Sequence, residues 1–258
     1  MRPSKIVRLC FFVALMANIL LVWPHHRVAG LWLNGGLLVL LLHANVLGAI
    51  FIRWNYFLKA IHHGPCHVRE VCLTFDDGPA KHTDAILDVL WAEGVPAAFF
   101  LIGKNVKAHP ELVRRMVDDG HTVGNHSMEH GFHFDWKSAK GMFQEMMDCN
   151  LAIAEASGVR PRFFRPPYGV TNPNLARAVA LSGIDAIGWS LRSFDTKAKS
   201  PQALLDKLLR QLKGGDIILL HDSVTATAEI LTTFIQEARA RGFIFVALPD
   251  LIDREPYA

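Results

Sequence analysis

Two long apolar runs open this chain, and neither fits inside the core of a small water-soluble domain. From Ile6 to Trp23 only Arg8 and Asn18 interrupt the apolar character, and from Leu31 to Ile52 only Asn34, His43 and Asn45 are strongly polar. Each run approaches the roughly 20 residues that a helix needs to cross the hydrocarbon core of a bilayer. The stretch Pro24-His25-His26-Arg27-Val28-Ala29-Gly30 between them reads as a turn, and Trp23, Trp32, Trp54 and Tyr56 fall near the ends of the runs, where aromatic rings favour the membrane interface. The expectation is a membrane anchor over residues 1–60, with two transmembrane helices at about 6–23 and 31–52 forming a hairpin.

Each run has a rival reading. The basic start Arg2, Lys5 and Arg8 would suit a cleaved signal peptide, although no clean small-x-small site follows and a second apolar run does. The second run could instead form a buried or interfacial helix. Lys and Arg flank the hairpin at Arg2, Lys5, Arg8, Arg53 and Lys59, whereas the turn carries only Arg27. That asymmetry favours both ends, and the domain that follows, on the cytoplasmic face of the inner membrane. A single span by the first run would place the domain outside.

Hydrophobic residues make up 51% of the 258, but the excess lies in the first sixty, and the remainder has the balance of an ordinary globular domain. A net charge of +3 without Lys/Arg blocks gives no basis for nucleic-acid binding, and positive charge beside an apolar segment suits anionic lipid better. Cys10, Cys66, Cys72 and Cys149 form no CxxC pair and no disulfide framework.

From Val71 onward, β-branched and aromatic runs alternate with amphipathic stretches. Strands are expected at Val71–Phe75, Ala97–Ile102, His121–Asn125, Arg162–Arg165, Ile184–Trp189, Asp216–Leu220 and Phe243–Ala247. Helices are expected at Thr83–Glu93, Glu111–Asp119, Ala139–Ala156 and Ala226–Arg241, with Pro110 and Pro201 at first turns and Gly94, Gly120, Gly158 and Gly242 just past helix ends. Strands joined by helical crossovers give an α/β fold with a parallel sheet, closed or open. In such folds reactive side chains collect at the carboxyl ends of strands. Those ends carry Asp76-Asp77-Gly78, His126, Arg165-Pro166-Pro167-Tyr168-Gly169, Ser190 and His221-Asp222.

Taken singly, each cluster has an ordinary structural reading: an Asp-Gly turn, an incidental histidine pair, a stiff proline loop, a surface imidazole. Together they describe a chemistry. Two adjacent carboxylates are unfavourable unless a cation separates their roles. His126 and His130, at i and i+4 on an expected helical turn, face one way and can hold that cation with a carboxylate. Two imidazoles and a carboxylate leave coordination positions open, as catalytic sites do. Zinc is the first candidate, and cobalt, nickel or iron suit the same ligands. The prolines leave the amides of Tyr168 and Gly169 as donors for an oxyanion, and Arg165 is placed to pair with the carboxylate that stays free. His221 is placed to protonate a leaving amine.

The blocks Thr74-Phe75-Asp76-Asp77-Gly78, His126-Ser127 followed by His130, Arg165-Pro166-Pro167-Tyr168-Gly169 and Leu220-His221-Asp222 resemble, in order and spacing, the signature of the polysaccharide deacetylase family, carbohydrate esterase family 4. The resemblance covers about residues 68–250. It implies a distorted (β/α)7 TIM-like barrel, here preceded by the transmembrane hairpin. It implies Asp76 as catalytic base, Asp77, His126 and His130 as metal ligands, Arg165 as the residue orienting the base, Tyr168 as the oxyanion amide and His221 as the acid. Leu219, Trp189 and Arg192 are the candidates for touching substrate, Leu219 walling the space for the acyl methyl. One block departs: Trp189-Ser190-Leu191-Arg192-Ser193-Phe194-Asp195-Thr196 puts Arg192 where members often carry an Asp that orients the acid, and Thr196 where a Trp is usual. Arg192 accepts no hydrogen bond from an imidazole, so Asp195 or Asp222 is left for that role, and Arg192 is free to meet a phosphate or acidic group.

The implied activity is metal-dependent N-deacetylation of an amino sugar, acting on a carbon–nitrogen amide that is not a peptide bond, in a cell-envelope glycan or its lipid-linked precursor, with membrane lipid as the other partner. The alternatives are a deformylase or O-acetyl esterase on the same scaffold, or, in a different class, an inactive membrane-bound glycan-binding protein.

Overall fold

A computed structural model describes residues 2–258. The apolar runs form α1 (Pro3–Ala17), which continues as a π-helical turn over Asn18–Val22, and α2 (Arg27–Ile50). Both helical segments, Pro3–Val22 and Arg27–Ile50, are long and apolar enough to cross a membrane, and little of either is buried. The turn is shorter than the 24–30 expected from sequence, because Gly30 already donates its N–H to the His26 carbonyl at 2.9 Å inside α2. The few polar groups of the runs face each other: the Asn18 amide donates to the Gly30 carbonyl at 2.9 Å and to Asn34 Oδ1 at 2.5 Å, locking the helices side by side. Meanwhile Leu9, Phe12, Leu20, Leu31 and Trp32 point outward, exposed.

After α2 come β1 (Ala60–Ile61), β2 (Glu70–Gly78), α3 (Thr83–Glu93), β3 (Ala97–Leu101), α4 (Gly103–Ala108), α5 (Pro110–Asp118) and β4 (Thr122–Asn125). They are followed by α6 (Ala139–Ser157), β5 (Phe163–Phe164), α7 (Pro173–Ser182), β6 (Asp185–Ile187), β7 (Leu191–Arg192), α8 (Pro201–Gln211), β8 (Ile217–His221), α9 (Thr225–Ala240), β9 (Ile244–Phe245) and α10 (Leu248–Ile252). Helix starts follow local chemistry: the side chains of Ser138, Asn172 and Ser200 accept from the N–H groups of Gly141, Leu175 and Ala203, at the heads of α6, α7 and α8.

The sheet is parallel, in the order β1-β6-β5-β4-β3-β2-β8-β7, with β9 added beside β2. It curls into a half-barrel whose ladder ends at β1 and β7 rather than closing. The seven-strand expectation missed both of these short strands. The gap lies where β6 passes to β7 with no crossover helix. Across it, Gly188 donates its N–H to Ile61 and Ser190 to Ile217, so one stretch of chain stitches the two edges without forming a strand.

Alternation along β2 sorts the core. Val71, Leu73 and Phe75 pack outward under α3, α8 and α9, in one buried cluster. Cys72 faces the barrel interior with Ala98, Phe100, Ile217 and Leu219 in another. That inner cluster also takes in Ile52, Leu58 and Ala60, so the α/β unit begins well before residue 68. Both ends of the hairpin rest on this unit. Arg2 Nη1 donates to the Phe57 carbonyl at 2.8 Å, and Thr171 donates its N–H to Ala49 at 2.9 Å. A Cβ on Gly48 would sit 2.3 Å from the Tyr56 ring, so only glycine permits that approach.

Removing residues 1–51 is expected to leave a cooperatively unfolding domain. Removal of residues 1–67 strips β1 and the buried Ile52 and Leu58, and should cost a further ~3–6 kcal/mol from lost burial alone. Denaturant melts of the two truncations check this, and equal midpoints would exclude residues 52–67 from the core.

Candidate active site

Asp76 continues the inward row of β2, and by strict alternation Asp77 would point to the opposite face. A bulge prevents that: the register to β3 shifts between Asp76 and Gly78, and Asp77 takes φ +76°. Asn105 in the first turn of α4 holds the bulge, its amide donating to the Asp77 carbonyl at 2.8 Å. Both carboxylates thereby reach the same rim.

The histidine pair arrives by a different route from the one its spacing implies. Residues 126–130 are not a helical turn; Ser127 and His130 adopt positive φ of 69° and 50°. The loop is pinned from below. Ser127 N–H donates to Asn125 Oδ1, His130 N–H to Ser127 Oγ, and the Met128 and Glu129 amides both donate to the buried Glu145 carboxylate. The imidazoles end 4.7 Å apart between centroids, each with Nε2 3.5 Å from Asp77 Oδ1. One donor atom from each of Asp77, His126 and His130 lies within 4.8 Å of the others.

The electrostatics of this triad fit a cation. His126 is fully enclosed, and burial, reinforced by the neighbouring His130, pushes its pKa down to about 3, so it is neutral, as an imidazole must be to hold a metal. Its Nδ1 lies 2.7 Å from the Arg165 carbonyl, an acceptor that fixes the proton there and leaves the Nε2 lone pair toward Asp77. Two imidazoles around one carboxylate oxygen are a donor set that could hold one divalent ion.

Beneath the triad, Asp76 meets Arg165. Arg165 is fully buried; Nη1 donates to Asp76 Oδ1 at 2.7 Å and to Thr74 Oγ1 at 2.8 Å, and Nη2 to the Gly188 carbonyl at 2.9 Å. Its guanidinium stacks 4.0 Å from the centre of the Phe100 ring. Burial raises the Asp76 pKa above the ordinary carboxylate range, against the pull of Arg165 and of His221 and His130, which strengthens Asp76 as a proton acceptor.

Opposite stands His221, paired in register with Asp76 across β8 and β2. The acid that holds it is Asp195. Its Oδ1 accepts from His221 Nδ1 at 2.8 Å, and its Oδ2 from the His221 N–H at 2.7 Å and Thr227 Oγ1 at 2.8 Å. Burial disfavours the imidazolium, but the Asp195 hydrogen bond and charge, with Asp76 and Asp77 adding, raise its pKa to about 9. Asp222 is engaged elsewhere, accepting from Thr83 Oγ1 at 2.5 Å, and is pushed up to about 7 by burial. Arg192 is exposed on β7, its guanidinium over the rings of Trp189 and Phe194.

Nine of the ten residues expected from sequence, Asp76, Asp77, His126, His130, Tyr168, Trp189, Arg192, Leu219 and His221, border one cavity of about 230 Å³, and the tenth, Arg165, lies under its floor. The cavity also takes in Gly169, whose amide was expected as a donor, and Phe194 and Thr196, which sequence reading did not assign to it. Of the two loop amides expected as donors, Gly169 N–H is used by the Pro166 carbonyl at 3.0 Å. Among the described residues Tyr168 N–H has no acceptor, and its residue sits at φ +57°. Gly169, at φ +70°, lies so close under Trp189 that a Cβ would be 2.2 Å from the indole. The supporting residues Asn105, Asn125 and Glu145 were also missed, because polar residues that bond backbone amides carry no signature of their own.

The family model described as polysaccharide deacetylase matches residues 63–187. A chitooligosaccharide deacetylase of Sinorhizobium fredii is 33% identical over 208 residues, covering 75% of this chain and 96% of that protein. The peptidoglycan-N-acetylglucosamine deacetylase PgdA of Listeria monocytogenes is 33% identical over 184 residues, covering 71% of this chain; the match spans only 39% of that relative's length. Among solved structures, the Bc1960 peptidoglycan N-acetylglucosamine deacetylase superposes with a TM-score of 0.73 at 28% identity, over 77% of this chain and 95% of that one. The chain belongs to the polysaccharide deacetylase family.

Two outcomes are expected. Arg165→Met leaves Asp76 buried without its partner and should lower unfolding free energy by about 3–5 kcal/mol in denaturant melts; a negligible change would show that the pair is not enclosed. Asp195→Asn removes the anion beside His221, so the imidazole pKa followed by NMR should fall by about 1–3, and an unchanged titration would assign the shift to other groups.

Proposed function

We propose that this chain is a divalent-metal-dependent deacetylase that cleaves the acetamido group of an amino sugar in a cell-envelope glycan or its lipid-linked precursor. The observation that carries the reading is the convergence of three metal-type donors, a buried arginine-paired carboxylate and an aspartate-held imidazole on one small cavity. The names of its relatives, peptidoglycan and chitooligosaccharide deacetylases, support the substrate class.

Asp77, His126 and His130 would hold the ion, zinc first among the candidates, with cobalt, nickel or iron compatible. Such an ion, when bound, polarises the acyl carbonyl and acidifies water. The protein's own groups do the rest. Asp76, its pKa raised by burial and its orientation fixed by Arg165, takes the proton from the attacking water. The free Tyr168 N–H donates to the oxygen that becomes negative as the carbonyl carbon turns tetrahedral. His221, an imidazolium at neutral pH, gives its proton to the departing nitrogen, so that an amine leaves rather than an amide anion. Leu219 and Trp189 wall the space beside it, and Gly169 lets Trp189 lie flat there.

The same residues would serve a deformylase or an O-acetyl esterase, and substrate decides among them. An inactive glycan-binding protein needs none of the base, ligands and acid that are all present here. The two outward-apolar helices, joined through Asn18 and Asn34, support a two-span anchor over residues 1–60 in the inner membrane, with the domain of residues 68–250 and its preceding segment on the side of both chain ends. By the distribution of Lys and Arg that side is cytoplasmic.

Purified protein should carry about one transition metal per chain by elemental analysis, and His126→Ala should lose it. Asp76→Asn should keep the metal while kcat on N-acetylated oligosaccharide drops about 10²–10⁴-fold. Full turnover in that variant removes Asp76 as base. Because His221 must be protonated to act, kcat should decline as pH rises through its folded pKa, and Asp195→Asn should move that decline to lower pH. Mass spectrometry of the released acid distinguishes acetate from formate.

A further inference from the structure

Beside the catalytic cavity lies a second one of about 560 Å³, and the two share Trp189, Arg192 and Phe194. Its other wall is the chain from Ile50 to Trp54, where α2 gives way to the α/β unit. The two adjoin along these side chains as a two-part trough between the end of an apolar helix and the metal-type triad.

Two unneutralised cations border that trough. Arg53 Nη1 reaches the Ser190 carbonyl at 3.3 Å, and the Arg192 guanidinium is held 5.5 Å from the Trp189 ring and 4.7 Å from that of Phe194. Among the described residues, the arginine–carboxylate pairs belong to Arg115, Arg165, Arg239, Arg241 and Arg254; Arg53 and Arg192 enter none. Lys207, its ammonium 4.1 Å from the other ring-face partner Phe194, adds positive charge behind them. A guanidinium stacked on aromatic rings keeps its N–H edge free, and that edge matches two oxygens of a phosphate. A neutral glycan offers nothing for such a pair to neutralise.

We propose that this trough binds the phosphate of an amino sugar linked to a membrane lipid, with Arg53 and Arg192 on the phosphate, the lipid chain leaving along the end of α2, and the acylated nitrogen in the catalytic cavity. The proposal rests on the deacetylase reading and narrows its substrate to the lipid-linked precursor. The order of groups along the trough is the order in such a molecule: hydrocarbon, phosphate, sugar, amide.

The test uses the full chain in phosphatidylcholine nanodiscs with three probes: farnesyl N-acetylglucosaminyl phosphate, the phosphate-free farnesyl N-acetylglucosaminide, and soluble N-acetylglucosamine 1-phosphate. The first should show a KM at least about tenfold below the other two, and Arg53→Gln or Arg192→Gln should erase about tenfold of its advantage over the phosphate-free lipid. Arg53→Lys should restore part of it. Equal KM values for the lipids with and without phosphate would overturn the site, as would arginine variants that weaken both alike. An equally good soluble sugar phosphate would overturn the lipid exit. Equilibrium binding of the first probe to Asp76→Asn protein provides a readout independent of turnover. Phosphate-dependent binding, lost in the arginine variants, with no hydrolysis by the unmodified protein would uphold the trough and sink the deacetylase reading. Hydrolysis of all three probes with no phosphate preference would do the reverse.

Discussion

The site is organised around one ion pair sealed inside the half-barrel. Taking two charges out of water is costly, and Arg165 offsets this with several contacts at once: Asp76, the Thr74 hydroxyl, the Gly188 carbonyl and the face of Phe100. Those partners come from β2, β3 and the turn after β6, so forming the pair also sets these elements relative to one another and to the end of β5, where Arg165 lies. The carbonyl of the same arginine orients His126. Asp76 and the donor cluster are thus registered to each other through a single buried residue.

A second acid–base unit faces the first across β8. Asp76 sits in an environment that lifts a carboxyl, and His221 in one that holds an imidazolium. Both shifts run upward, burial making the carboxyl the better proton acceptor and Asp195 keeping the imidazole charged, which are the directions that a base and an acid require. Asp195 achieves this from inside a short 3₁₀ turn (Asp195–Lys197), using both carboxylate oxygens on backbone, imidazole and Thr227.

Much of this was legible in the chain because strand ends in a parallel sheet are where polar residues interrupt apolar runs. The alternation located seven strands near their observed positions, and most of the interrupting clusters border one cavity, whereas Ser190 and Asp222 lie outside it. What alternation could not reveal were β1 and β7, each two residues long, since so short a strand has no period to detect. The convergence of His126 and His130 was anticipated for the wrong reason: i, i+4 spacing implies a helix, whereas two left-handed residues and the Glu145 carboxylate shape a loop instead. Likewise the choice between Asp195 and Asp222 as partner of His221 depended on which face of the rim each reached, a tertiary fact. In the apolar runs, length and composition marked the helices, but the Asn18–Asn34 contact that pairs them required the fold.

The passage from α2 into the α/β unit has its own consequence. Ile52, buried two residues after the helix ends, and Leu58 and Ala60 soon after, leave no slack between the two parts. On the membrane reading, the rim is mounted rather than tethered: it cannot swing outward to survey a thick polymer mesh. It samples only what diffuses laterally past it, so its effective substrate concentration is counted per unit area of bilayer instead of per volume.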